Sequence, residues 1–403
     1  MILEFSVKNF LSFDQMENIN FVATKDKSNK NNLTETPFLP EKNILKSAVI
    51  YGANASGKSN LVKAFLFCIN FIKSSIKHQE GDLLNYKPFK LNNKYKETTF
   101  QIIFVVEKIK YVYRFSYNKT QITEEYLYYY PKGRQSILFE RDETDQYNFT
   151  KDEKELNLLA KRTLQNRLFI SVASEWKYEK IMKPFAWLKE NIVVKLNELK
   201  DNWLQYTANL VKTDPIFKKN LNELLKKADF GISDMNVEIL DEVFNEKKLK
   251  LKTIQKIQDK NKKSKFIEFD INEESLGTRK LFELYGPLYD ILKNGKILII
   301  DEIELNLHTF LTEYLVSKFH DKKINKNNAQ LIFTTHDTNL LDLDLFRRDQ
   351  IWFTKKRDED SSTELYSLAE IKNVRNNENI QKGYKNNKYG ALPYKLMAQL
   401  RER

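Results

Sequence analysis

At 403 residues the chain exceeds the usual size of one compact domain, so it reads as one large domain carrying an insertion, or as two domains. A hydrophobic share of 41% with 27 Phe and 20 Tyr supplies a real core and excludes a disordered chain, while a lone cysteine, Cys68, excludes an intrachain disulfide and fits a reducing compartment. The net charge of +12 raises nucleic acid as a partner, but the lysines are spread along the chain, and no Cys/His cluster has the spacing of a structural zinc site.

The start, MILEFSVKNF, lacks the basic head, long apolar centre and small-residue cleavage site of a signal peptide. The most apolar stretch, AFLFCINFI at Ala64 to Ile72, is too short to cross a bilayer, so a cytoplasmic protein with no membrane partner is expected. ILEFSVKNF and ENINFVA alternate with period two and predict an opening strand pair. A polar stretch, Thr24 to Thr36, leads into ILKSAVI, read as a short apolar strand ending at Ile50. NLVKAFLFCINFIKSS has the length and composition of a largely buried helix, and Thr98 to Pro131 has the β-branched and aromatic content of an antiparallel meander. From about Lys151 to Phe230 Leu, Ile and Phe recur at helical spacings without sustained heptads, which predicts a helical insertion closed by Gly231. Strand character returns at VEIL, runs through EKKLKLKTIQKIQDKNKKSK (Glu246 to Lys265) and ends at FIEFD, before a strand–helix alternation to the C-terminus. The basic run reads first as a solvated hairpin face, with a nucleic-acid patch as the competing reading.

Between an apolar strand and an apolar helix lies VIYGANASGKSN, where Gly52 through Ser59 matches G-x-x-x-x-G-K-[ST]. Gly52 and Gly57 let backbone N–H groups turn inward around phosphate oxygens, where a side chain would block the approach. Lys58 is placed to reach the β- and γ-phosphates of ATP, and the Ser59 hydroxyl to ligate Mg²⁺. Asn54 in the loop and Asn60 in the first helical turn join this nucleotide-binding set. A plain glycine turn is the alternative, and the second half of the chain weighs against it.

KILIIDE, Lys296 to Glu302, is a buried strand ending in two carboxylates. Asp301 suits Mg²⁺, and Glu302 suits the polarisation of attacking water. QLIFTTHD places His336 after another short strand, where a neutral imidazole suits contact with the γ-phosphate or the water. ESLGTRKLFEL sets Ser275 and Gly277 at the start of a helix whose apolar face includes Leu281, Leu284, Leu288 and Ile291.

In this order the phosphate loop, serine–glycine signature, Asp–Glu strand and histidine resemble the cassette-type head ATPases related to the RecF and SMC proteins. More narrowly, ESLGTRKLFELYGPL, IDEIELNLH, FTTHDTNLLD, FRRDQIWF and NNKYGALP resemble bacterial AAA-type ATPases that form halves of abortive-infection and other anti-phage systems. The resemblance implies an α/β, ABC-ATPase-like head, with a P-loop NTPase core, an antiparallel β subdomain and an α-helical insertion. Residues 1–150 and 232–403 would form one discontinuous ATPase head around an insertion at 151–231. It further implies a homodimer or higher homo-oligomer sandwiching ATP and Mg²⁺. Gly52, Asn54, Gly57, Lys58, Ser59 and Asn60 would bind in cis while Ser275 and Gly277 reach across from the second copy. Asp301 would serve the metal, Glu302 the water and His336 the switch, with Asn306, Leu307 and His308 in the crossing loop.

Related ATPases pair with a separate effector protein, often a TOPRIM-type nuclease, and the same kind of partner is expected here. An end at Arg403 is expected to leave no room for that domain on this chain, and Asp342 and Asp344, which resemble its D-x-D, lack a preceding strand-borne glutamate and read as structural. The sequence departs from the family pattern at Ala55, where many members have glycine, and at Asn306 and Thr309, where relatives commonly have Ser and Pro. The Mg²⁺-sensing glutamine has only Gln101 as a weak candidate. The alternative function is a self-sufficient, RecF-like nucleic-acid-processing ATPase, with Lys247 to Lys265 as its contact surface.

Overall fold

The alternation in the first residues produces the expected pair: β1 (Ile2–Lys8) lies antiparallel to β2 (Glu17–Asn20). The computed structural model describes residues 1–91, 96–197, 202–228, 230–243, 246–258, 264–375 and 378–392. A short hairpin, β3 (Leu33–Glu35) and β4 (Asn43–Leu45), precedes β5 (Ser47–Gly52) and α1 (Lys58–Ser74). ILKSAVI is therefore two strands rather than one. Lys46 separates them, its N–H on Asn32 O at 2.9 Å and its ammonium on Asn31 O at 3.0 Å.

The meander continues through β6 (Thr98–Val106), β7 (Ile109–Tyr117), β8 (Ile122–Tyr130), β9 (Ser136–Arg141) and β10 (Tyr147–Asn148). With the first strands it forms a seven-stranded antiparallel sheet of order β10-β9-β8-β7-β6-β1-β2. After it come α2 (Glu153–Ala160), α3 (Phe169–Glu175), α4 (Glu179–Asn191), β11 (Ile192–Lys195), α5 (Trp203–Thr213) and α6 (Pro215–Lys227). A three-stranded sheet follows, β12 (Ile232–Val243), β13 (Glu246–Gln258) and β14 (Ser264–Asp270). The chain then alternates through α7 (Leu276–Asn294), β15 (Ile297–Ile300), α8 (Thr309–His320), β16 (Gln330–Thr334), β17 (Ile351–Lys356), β18 (Thr363–Ser367) and α9 (Ile380–Lys385).

The central sheet has the order β11-β15-β16-β5-β17-β18, parallel except for β18. β11 lies inside the stretch expected to be wholly helical. Its four residues, IVVK, are too short to show a period, and what fixes them as a strand is pairing with β15, more than a hundred residues downstream. β5 is buried along its whole length and serves two cores, Ala48 and Ile50 on one face and Val49 and Tyr51 on the other. The first core is filled by α1, held between the two large sheets: Phe65 stacks on Phe5 of β1 at 3.7 Å, and Phe67 stacks on Phe100 of β6 at 5.7 Å. The second is covered by α7, whose Leu281, Leu284, Leu288 and Ile291 are all buried, as their spacing predicts. The α/β class expected from the sequence is thus observed.

One buried side chain ties the lobes. Gln330 of β16 accepts from Ile2 N at 2.7 Å and donates to Ile2 O and Leu45 O, both at 3.0 Å, so each edge of its carboxamide is satisfied by a different part of the N-terminal lobe. A second network is pH-sensitive. Ser47 Oγ accepts from Gln350 at 2.7 Å and lies 2.8 Å from His320 Nε2, an arrangement in which a neutral imidazole accepts the serine proton. Burial, then the nearby Lys46 charge, pushes the His320 pKa from 6.5 down to about 3. The unfolded chain therefore takes up this proton more readily than the folded one, so stability is complete above pH 6.5 and is lost as pH falls from there toward 3. The loss amounts to about 2 kcal/mol at pH 5. His320→Gln is expected to flatten the fall in urea midpoint between pH 7 and pH 5; a fall as steep as in the native chain would exclude His320 as its source.

The basic run proves to be the middle strand of its sheet. Lys252 pairs with Glu238 and with Glu268 at 3.4 Å, and Lys250 with Asp270 at 2.9 Å. Cross-strand acids thus neutralise these two lysines. Residues 259–263 of the run lie outside the described residues.

Candidate active site

The phosphate-loop segment leaves β5 at the carboxyl edge of the parallel sheet and enters α1, where an open α/β sheet places its ligands. Both glycines are enforced by neighbours. A Cβ on Gly52 would stand 2.5 Å from the Thr354 carbonyl oxygen, and one on Gly57 would stand 2.7 Å from Thr363 Cγ2, at a φ of 114°. Thr363 and Thr354 also hold the loop from behind: Thr363 Oγ1 donates to Ser56 O at 2.9 Å, and Thr354 Oγ1 lies 2.6 Å from Ser56 Oγ. Below them Ala53 N donates to Ala391 O at 3.2 Å, which brings part of NNKYGALP against the loop; its last residue, Pro393, lies outside the described residues.

The loop backbone is turned toward an anion. The N–H groups of Gly57, Lys58 and Ser59 have no hydrogen-bond acceptor among the described residues, and the first turn of α1 adds its positive dipole end. Lys58 is buried, its Nζ donating to Gly52 O at 2.8 Å and to Ala53 O at 3.0 Å. Burial lowers its pKa, opposed by Asp301, Glu302 and Glu304, so these carboxylates face the ammonium. Asn54 is exposed at the loop tip, and Ala55 beside it has φ of 60°, the left-handed region that explains why glycine suits this position. Asn60 turns its amide away to Ser12 Oγ at 2.8 Å.

β15 and β16 end side by side and bring the acid pair and the histidine together. Thr334, the last residue of β16, donates its hydroxyl to Asp301 Oδ1 at 2.6 Å and accepts the Glu302 N–H at 2.8 Å. Glu302 takes φ of 47°, unusual for a long side chain, and its Oε1 lies 3.5 Å from His336 Nε2. Glu304 Oε1 accepts the His336 N–H at 2.6 Å, while its Oε2 is buried without a partner. One threonine and one glutamate therefore orient both members of the Glu302–His336 pair.

Ser275 caps α7, accepting from Thr278 N at 3.1 Å, and Gly277 abuts the crossing loop so closely that a Cβ would stand 2.9 Å from Asn306 O. No hydrogen bond joins Ser275 or Gly277 to residues 52–60 among the described residues. Around them Leu276, Leu305 and Phe310 are exposed, at 64%, 40% and 74%. Gln101 sits in the antiparallel sheet, bonded to Tyr126 OH at 3.1 Å and Glu4 at 3.5 Å, apart from the carboxylates. Asp342 accepts from Asp344 N at 2.8 Å in a local turn.

The match to known sequences spans the strand of the phosphate loop, the signature, the acid pair and the histidine. The profile of the family described as "AAA domain, putative AbiEii toxin, Type IV TA system" matches residues 47–342. The chain belongs to that family. No curated protein sequence matches this AAA-family chain. Among solved structures, that titled "Crystal structure of the SmcHead bound to the C-winged helix domain of ScpA" is similar over 91% of this chain and 97% of that one, with 16% identity and a TM-score of 0.42.

Three residues of this AAA domain escaped the sequence reading. Thr334 and Glu304 flank the motifs but carry no pattern of their own. Asn197, just past β11, donates from Nδ2 to Asp301 O at 2.9 Å and keeps a buried, unpartnered Oδ1. Its signal lay in the pairing of β11 with β15, which no local pattern reveals. Among the described residues, no helix is long and apolar enough to cross a membrane.

Proposed function

We propose that this AAA-family protein is an ATPase head that dimerises around ATP and controls a separate effector in anti-phage defence. The observation that carries the reading is the convergence of Lys58, Asp301, Glu302 and His336 on the free N–H groups of the phosphate loop. The loop N–H groups and Lys58 would hold the phosphates. Ser59 and Asp301 are the hard oxygens that suit Mg²⁺. Among the described residues no three His, Cys, Asp or Glu side chains form a metal chelate by themselves. Mg²⁺ is usually held by substrate phosphates and one or two carboxylates; when bound it would neutralise phosphate charge. Glu302 would take the proton of attacking water, and His336 would hold that carboxylate and sense the γ-phosphate.

Ser275 and Gly277 make no hydrogen bond to the phosphate loop of their own chain among the described residues, which leaves them to a second copy, and exposed Leu276, Leu305 and Phe310 offer that dimer an apolar face. The head would comprise residues 1–150 and 232–403 together with β11, which the 151–231 segment adds to the central sheet. The toxin–antitoxin wording of the family description supports a two-component system, in which a nuclease of the TOPRIM type is the partner we favour. The self-sufficient nucleic-acid enzyme has less support, because Lys250 and Lys252 are paired with acids. Purified protein incubated with ATP, Mg²⁺ and labelled DNA or RNA is expected to release phosphate and leave the strands intact. Cleavage that persists through purification and vanishes in Lys58→Ala would reverse the choice.

A further inference from the structure

The C-terminal halves of α6, α7 and α8 enclose a cavity of about 550 Å³, a size that takes a small-molecule ligand. Its floor is apolar, formed by Leu224, Leu288, Leu292 and Leu315. Its walls are the rings of Tyr285, Tyr289 and Tyr314. The Tyr289 hydroxyl is engaged with Asp214 at 3.2 Å. The Tyr285 hydroxyl is different: it has no hydrogen-bond partner among the described residues, and Tyr285 is half-buried on the cavity wall. A donor with no protein acceptor on a cavity wall is available to an acceptor atom of a ligand.

The mouth is cationic. Lys227, Lys318, Lys323 and Lys326 surround it with Lys293, which pairs with Asp214 at 3.9 Å, and Glu223 is the one carboxylate of the lining itself. Part of this charge has an ordinary cause, because three helices end here and lysines offset their negative dipole ends. Lys323 and Lys326 lie beyond the end of α8 and have no ion pair among the described residues, so the dipoles do not account for them. Lys318 lies 4.0 Å over the Tyr314 ring, which fixes it at the aromatic wall.

We propose that this cavity is a second ligand site, for a small anion of mononucleotide size with a planar apolar body. The ring would lie on the leucine floor between the tyrosines, an acceptor atom would take the Tyr285 proton, and the anionic group would meet the lysines. The site braces α7 and α8, whose other ends carry Ser275 and Gly277 and the crossing loop. Control of ATP turnover by the occupant follows from the proposed function, but the binding does not depend on it.

The test uses the full chain and 1-anilinonaphthalene-8-sulfonate, an aromatic monoanion, followed by its fluorescence without ATP or Mg²⁺. One saturable site is expected, from which AMP displaces the dye equally in the native chain and in Lys58→Ala, whose phosphate loop is impaired. Tyr285→Phe, whose lost hydroxyl touches no protein group, and the pair Lys318→Ala with Lys323→Ala are each expected to weaken the dye about tenfold with circular dichroism unchanged. The uncharged N-phenyl-1-naphthylamine is expected to bind at least about tenfold more weakly. Unchanged affinity in these variants, equal binding of the neutral analogue, or AMP displacement that is lost in Lys58→Ala would overturn the site. Displacement by an acidic aromatic peptide at lower concentration than AMP would overturn it in favour of a protein-docking surface.

Discussion

Glu302→Gln is expected to keep ATP, lose its hydrolysis and hold the protein as a closed dimer. The substitution preserves volume and hydrogen bonding but removes the carboxylate that takes a proton from water, a contribution of about 10²–10⁴-fold to the rate. The backbone gives no reason for collateral damage: φ of 47° strains Glu and Gln alike, and the Glu302 N–H stays on Thr334 Oγ1 at 2.8 Å. Lys58 and the free N–H groups are untouched, so nucleotide affinity should persist. Turnover measured by phosphate release and mass measured by light scattering, each with and without Mg·ATP, read the two consequences separately. Lost turnover with an unchanged mass would retain Glu302 as the base and remove the sandwich. Near-native turnover would remove Glu302 itself, and the spare carboxylate oxygen of Glu304 would be the next group to examine.

The parts of this site that are legible in the sequence are those whose chemistry is contiguous. A phosphate cradle must be one unbroken loop between a strand and a helix, so VIYGANASGKSN displays its strand, glycines and cation together. KILIIDE shows its acids because a buried strand cannot bury two carboxylates and must end on them. What was not legible depends on neighbours distant in the chain. IVVK becomes a strand only because β15 offers its edge. Thr334 matters only because β16 ends where β15 ends, which puts one hydroxyl between Asp301 and Glu302. Glu304, between Ile303 and Leu305, carries no motif of its own, and only the fold places the His336 N–H on it. The basic run leaves two readings open in sequence for the converse reason, since Glu238, Glu268 and Asp270, the acids that answer Lys250 and Lys252, lie on the flanking strands.

Lys58→Ala is expected to weaken ATP binding about 10²–10³-fold, the effect of removing about 3–4 kcal/mol when a buried, hydrogen-bonded charge loses its partner. The ammonium has two tasks in this fold. It offsets Asp301, Glu302 and Glu304, which hold its pKa up against burial, and it donates to the carbonyls of Gly52 and Ala53. Phosphate oxygens are stronger acceptors than those carbonyls, so binding exchanges neutral partners for charged ones within the same loop. Without Lys58 the incoming phosphates meet three carboxylates and no buried cation, and Mg²⁺ alone would have to offset them. Lys58→Arg should restore little, because a planar fork does not fit the position of a point charge held by two carbonyls 2.8 and 3.0 Å away. Calorimetric titration with a non-hydrolysable ATP analogue separates this loss from the Glu302 effect, since no turnover is involved. Affinity within about threefold of native in Lys58→Ala would show that the loop N–H groups and the metal carry the phosphates, and that Lys58 is there to hold the loop and balance its acids.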